Sequence, residues 1–166
     1  MPPLYYLNVT VHVLAAMLWL GGMFFLGIVG APVLRAVQPD ALRQRLFQEL
    51  GQRFRTAGWW AMAVLVLTGT VNLHYRGWLH WHGVFDAGSF WSTPAGHALG
   101  AKLVAVVVMI AMELVHDFIQ GPRAARAIAG SVEAVRLRRR AAWLARINAL
   151  VGVLLVAAAV RLARGG

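Results

Sequence analysis

The chain has 166 residues, of which 60% are hydrophobic and only 13% charged, about half of the roughly 25% that a water-soluble domain carries. With apolar runs near the roughly 20 residues needed to cross hydrocarbon, this balance excludes a soluble fold. The 16 Lys and Arg against 6 Asp and Glu then read as a topology signal rather than a nucleic-acid footprint. The absence of cysteine excludes disulfides, thiolate metal sites, iron–sulfur clusters and a cysteine nucleophile, leaving histidine and methionine as the main soft ligands.

Four stretches are long enough to span a bilayer: Leu7 to about Leu34, Ala57 to Tyr75, Ala98 to about Ile119, and Ala141 to Leu162. The N-terminal segment Met-Pro-Pro-Leu-Tyr-Tyr lacks a basic n-region and precedes a long apolar run, so the first span reads as retained rather than cleaved. Between spans one and two, Arg35 to Thr56 carries five Arg, and Gly121 to Ala142 carries six, whereas Arg76 to His97 has Arg76 alone. Positive charge on alternate loops predicts that both arginine-rich loops are cytoplasmic. The N-terminus, the Trp-rich middle loop and the C-terminus then lie outside.

After Pro39 and the candidate N-cap Asp40, residues Leu42, Leu46, Phe47, Leu50 and Phe54 recur at helical spacing, with arginines on the other face. This predicts an amphipathic helical extension feeding the second span. Ser131 to Arg140 has a similar pattern, and Arg138 to Arg140 end it at the membrane surface. The expected architecture is all-α: one integral membrane four-helix bundle over residues 1–166, up-down-up-down, both termini outside, multi-pass in a bacterial-type inner membrane. Its surroundings are lipid, with no nucleic-acid partner, and oligomerisation is left open.

Ionisable residues inside a span are costly, so their depth indicates function. From helix rise, His12 lies about 12 Å outward of the first span's midpoint, and His74 about 12 Å outward of the second's. A level-matched pair on antiparallel neighbours is the arrangement that ligates haem b edge-on in a bundle. Ala15, Ala16, Gly69 and Thr70 beside them are small enough to admit a flat ring. Arg76 and Lys102 are placed to meet propionates, Lys102 by snorkelling. A lone metal ion, or mere hydrogen bonding between helices, satisfies the same spacing.

Other constellations compete. In the outer loop, His80, His82 and His97 could hold copper or zinc, amid a Trp and Phe belt that also suits an interface. Glu113 and His116 form half of a di-iron pattern, with Asp117 next to them, but no second Glu-x-x-His exists. A proton path, or an ion pair with Arg146 beside Asn148, suits them better. Met17, Met23, Met62, Met109 and Met112 could pass Cu(I), although methionines on apolar faces serve mostly as packing. Neither a nucleophile beside a base nor a phosphate loop is present.

The first span, with His12, Trp19-Leu20-Gly21-Gly22-Met23-Phe24-Phe25 and Pro32, resembles the opening helix of the CopD-like copper-resistance membrane proteins and of the related HemJ-type protoporphyrinogen oxidases. Arg53 through Thr68-Gly69 is similar to their second helix, and Thr93-Pro94-Ala95-Gly96 with Ala101-Lys102-Leu103 to the lead into their third. Arg146-x-Asn148 resembles the HemJ-type Arg-x-Asn. The HemJ type implies haem b and oxidation of protoporphyrinogen, with the first-helix histidine and third-helix lysine falling on His12 and Lys102. The CopD type implies copper uptake across the inner membrane. His74 rests on the depth argument alone.

The combined reading is a haem b membrane redox protein, with His12 and His74 on the iron and Arg76 and Lys102 on the propionates. It would exchange electrons with a quinone, porphyrinogen or small oxidant. The alternatives are a copper transporter using the outer histidines and the methionines, or a cofactor-free anchor subunit.

Overall fold

Four helical runs are long and apolar enough to cross a membrane, and together they make an antiparallel bundle. The computed structural model describes residues 3–80, 83–86, 88–128 and 130–164. The first run is α1 (Pro3–Phe25), a π-helical turn at Leu26–Gly30, and α2 (Ala31–Arg35). The second is the unbroken α3 (Asp40–Tyr75). The third is α4 (Pro94–Leu114), a π-helical turn at Val115–Gln120, and α5 (Gly121–Arg126); the fourth is α6 (Val132–Ala163).

The helices overrun the expected spans mainly at their arginine-rich ends. The amphipathic extension from residue 40 is helical and continuous with the second span, and α6 begins at Val132. Asp40 is not the N-cap. Pro39 takes that place with an extended backbone, while the Asp40 carboxylate accepts from Arg43 one turn on. Ser131 and Thr93 do cap α6 and α4, their hydroxyls accepting from Ala134 N at 3.1 Å and Gly96 N at 3.0 Å. Both π turns end just before a proline, Pro32 and Pro122. Proline donates no N–H and crowds the carbonyl four residues back, and a widened turn relieves both defects without breaking the helix.

Pairing of the helix ends fixes the topology. Tyr5 and Tyr75 meet edge-on at 5.5 Å, and Arg76 Nη1 donates to Leu162 O at 3.2 Å, so both termini lie at the end where α3 finishes. At the opposite, arginine-rich end, Gln44 Nε2 donates to Ala127 O at 3.0 Å. There, too, a side chain on Gly130 (φ +80°) would collide with the Asp40 carboxylate, which suits glycine on both counts. The order is up-down-up-down. α1 packs along α3 and α4 along α6, and α1 also touches α6.

The middle of the bundle is an apolar layer of Trp19, Ala61, Met62 and Met109, with Val151 and Leu155 against it. Gly152 permits it: a side chain there would strike Leu20 and Met109, so α6 approaches its neighbours closely only because the residue is small. Gly22 likewise faces Phe54, whereas Gly21 and Gly27 face open space and mediate no contact. A second apolar layer of Ala98, Leu99 and Leu162, joined by Leu73, Trp78 and Trp91, seals the terminal end. Outward, apolar side chains such as Leu14, Leu67, Val107 and Leu154 are exposed on all four runs. Lipid hydrocarbon is the solvent such a surface suits.

Met109, at 1% exposure, is the most enclosed large side chain among the described residues. Met109→Ala is expected to cost about 2–5 kcal/mol. Thermal unfolding in detergent should show a lowered midpoint for it, while Val107→Ala on the exposed face leaves the midpoint near wild type.

Candidate functional site: two polar layers

Polar side chains inside the bundle gather in two layers, one on each side of the Trp19–Met109 core. On α1 the inward face runs Asn8, His12, Ala15, Trp19 and Met23, a helical three-four spacing; on α3 it runs Ala61, Leu65, Thr68, Asn72 and Tyr75.

In the layer nearer the termini, Asn8 Nδ2 donates to Thr68 O at 3.0 Å and to Asn72 Oδ1 at 2.9 Å. His12 Nδ1 lies 2.7 Å from Thr68 Oγ1. The single Thr68 hydroxyl proton is directed at Val64 O, 2.6 Å away, so the hydroxyl accepts from His12 and Nδ1 carries the imidazole proton. Nε2 is thereby left with its lone pair, the tautomer that a metal-ligating histidine needs, held by the partner behind it. The ring lies over Gly69, whose missing side chain would stand 3.5 Å from His12 Cε1.

Lys102, half-buried on α4, lies within electrostatic reach of His12 and of Arg76. The Arg76 guanidinium sits 5.1 Å over the Trp78 ring, besides its contact with Leu162 O. Among the described residues no carboxylate forms an ion pair with either cation. The layer is therefore basic and uncompensated.

His74 does not join it. It is exposed, with Tyr75 as its ring neighbour at 6.1 Å. Asn72 faces α1, and His74 lies two residues on, roughly 200° around the helix. The register of α1 on α3, with Asn8 against Asn72 and His12 against Thr68, also sets His74 about 9 Å nearer the termini than His12 at helical rise, so the structure brings the expected histidine pair together neither in height nor in rotation. The expected outer copper or zinc cluster is not assembled either. His82 lies outside the described residues, His80 is exposed in the loop, and His97 is exposed on the first turn of α4. Among the described residues no three His, Asp or Glu side chains are placed to hold a metal ion.

The second layer, toward the arginine-rich end, is acidic. Glu113 is buried, and Asn148 Nδ2 reaches its Oε2 at 3.4 Å and Met23 Sδ at 3.5 Å. The expected partner Arg146 is exposed instead; Asn148, two residues on, turns inward. Asp117 accepts from Trp59 Nε1 at 2.9 Å and meets His116 Nδ1 at 3.1 Å. The π turn carries His116 and Asp117, widening α4 where these side chains diverge. Thr68, Asn72, Trp59 and Gly58 escaped the sequence reading. They face the layers of His12 and Glu113 from another helix, which no pattern along one helix shows.

These features define a four-span helical membrane protein with a basic polar layer and an acidic one. A family model described as copper resistance protein D matches residues 48–162, and the chain belongs to that family. It is also 32% identical over 155 residues, 93% of its length and 92% of the relative's, to an uncharacterized protein of Aquifex aeolicus (strain VF5). No solved structure matches it.

Removing the Thr68 hydroxyl tests the tautomer. Nitrogen-15 spectra of histidine-labelled protein should show His12 protonated at Nδ1 in the wild type, and Thr68→Val should shift part of the population to Nε2. An Nε2-protonated ring in the wild type would contradict the assignment.

Proposed function

We propose that this copper-resistance family protein is a haem b membrane redox protein with His12 as the iron ligand. The observation that carries the reading is the combination at His12: a lone pair on Nε2, fixed by Thr68, near Lys102, which in turn lies near Arg76, neither cation being ion-paired with a carboxylate among the described residues. A bare copper ion at that place would be repelled by Lys102 and Arg76. A porphyrin with two propionates uses both charges through charge-assisted contacts. The residues fit the group to that extent, and Gly69 keeps bulk away from the ligand edge. Haem b, when bound, supplies one-electron chemistry. The protein's own part is to hold the imidazole by Thr68, orient the acidic edge by Lys102 and Arg76, and keep lipid-level water out through the apolar layers on either side. With haem held there, electrons would be exchanged with a quinone, porphyrinogen or small oxidant.

In this reading the arginine-rich end is cytoplasmic by the positive-inside rule, the site lies in the outer half of a bacterial inner membrane, and both termini are outside.

Copper as cargo is the second reading. The family description favours it, and Met23, Met62 and Met109 share one core cluster, a thioether set suited to Cu(I).

An absorption spectrum of the purified chain separates the two. A Soret band that shifts on reduction is expected, lost in His12→Ala and kept in His74→Ala. Lys102→Met should weaken haem binding by roughly tenfold or more, as loss of one charge-assisted contact does. Stoichiometric copper without a porphyrin spectrum would replace the haem reading with the cargo one.

A further inference from the structure

The acidic layer contains polar atoms that the fold buries and leaves unmatched. Among the described residues, Trp19, 6% exposed, has no partner for Nε1, and Asn148, 4% exposed, has none for Oδ1. Burial of an unpaired donor or acceptor is costly, and natural interiors rarely tolerate it without a guest.

The unmatched indole nitrogen adjoins a gap beside Glu113. Gly58 leaves a notch on α3: the point where its side chain would begin is 3.7 Å from Trp19 Nε1 and 3.9 Å from Glu113 Oε1. One is a donor and the other an acceptor, and they form no direct hydrogen bond with each other. Asn148 flanks the same carboxylate at its other oxygen. A water molecule bridging them would accept from the indole and donate to the carboxylate, the two partners a buried water needs at minimum. A metal cation fits worse, because the indole nitrogen beside the gap is a donor with no lone pair to offer.

The acidic layer also reaches the outer face of the bundle at His116. Glu113 and Asp117 lie one turn apart on the same face. Asp117, whose side chain is 6% exposed, is hydrogen-bonded to His116, whose side chain is 40% exposed. The charged groups that act on Glu113 are Asp117 and His116, both from its own run. α1 contributes Trp19 and Met23, α3 Gly58 and α6 Asn148, none of which titrates in the ordinary range.

We propose that Glu113 is a proton-exchange site, hydrated by a water in the Gly58 notch and reached from the arginine-rich surface through His116 and Asp117. A proton leaves His116 Nδ1 for Asp117 and passes on to the Glu113 carboxylate; His116 regains one from solvent at Nε2, so charge and protons balance with no oxidant or reductant. The site is independent of the haem reading, and loss of the Soret band would leave it standing.

Infrared spectroscopy of the full chain in lipid nanodiscs tests it. Lowering the pH should reveal a carboxylic-acid carbonyl band that Glu113→Gln, which is nearly isosteric, removes. On mixing with deuterated buffer that band should shift quickly in the wild type. Gly58→Ala occupies the notch while meeting its neighbours only at ordinary contact distance, so it should fold. It should move the band and slow its exchange about tenfold, the factor that one lost hydrogen bond supplies. His116→Phe should slow exchange similarly without moving the band. The proposal is overturned if Glu113→Gln removes no carboxylic-acid band at any pH where the chain stays helical. It is equally overturned if Gly58→Ala and His116→Phe both exchange at the wild-type rate.

Discussion

The hydrogen bond between His12 and Thr68 is what allows an imidazole to stand inside a hydrocarbon-spanning bundle as a usable ligand. Without an acceptor on the facing helix, the ring would carry an unmatched N–H, or would turn its lone pair inward to find a donor. Thr68 can accept because its own proton is committed to Val64 O in the preceding turn. That back-bonding is a habit of threonine in helices. Asn8 and Asn72 extend the same seam toward the termini, so the ring is one member of a satisfied ladder between α1 and α3.

The charges of the bundle are sorted by depth. Lys102 and Arg76 lie toward the termini, and Glu113 and Asp117 toward the arginine-rich end. On α4, Lys102 and Glu113 are eleven residues apart, about 16 Å at helical rise, too far for direct pairing. Trp19, Met62 and Met109 fill the space between. Each layer must therefore be neutralised locally or by a guest. The acidic layer is served by Trp59, Asn148 and His116. Among the described residues the basic layer offers its cations a carbonyl and an aromatic face, and an acidic ligand would suit it.

Much of this architecture was legible in the sequence, because its causes are local. Apolar run length set the four spans, Arg spacing in the loops set their alternation, and the three-four pattern from Leu42 to Phe54 announced the extension of α3. What counting along one helix misses is register and rotation relative to another. His74 was expected level with His12, but the pairing of His12 with Thr68 and Asn8 with Asn72 sets it about 9 Å nearer the termini at helical rise, and its angle from Asn72 puts it on the outer face. Arg146 and Asn148 traded places for the same reason: both are at the depth of Glu113, but only Asn148 shares the phase of Gly152 and Val151. The acceptor at Thr68 and the notch at Gly58 depend on which residue of a second helix faces the first, and no single-helix periodicity contains that.

The two π turns show how a local defect is put to use at a distance. Pro32 and Pro122 would each cost a straight helix an N–H bond and a clash with the carbonyl one turn back. Widening the turn before the proline absorbs the clash and rotates everything beyond it by part of a turn. On α4 the widened stretch is the segment that carries His116 and Asp117. One result is that these neighbours serve different environments, Asp117 turned to Trp59 inside and His116 toward the surface, while remaining hydrogen-bonded to each other. In a regular helix successive side chains also diverge by roughly 100°, but the wider turn adds radius exactly where a polar pair must reach from core to rim. Proline placement and proton access are in this way aspects of one constraint on α4.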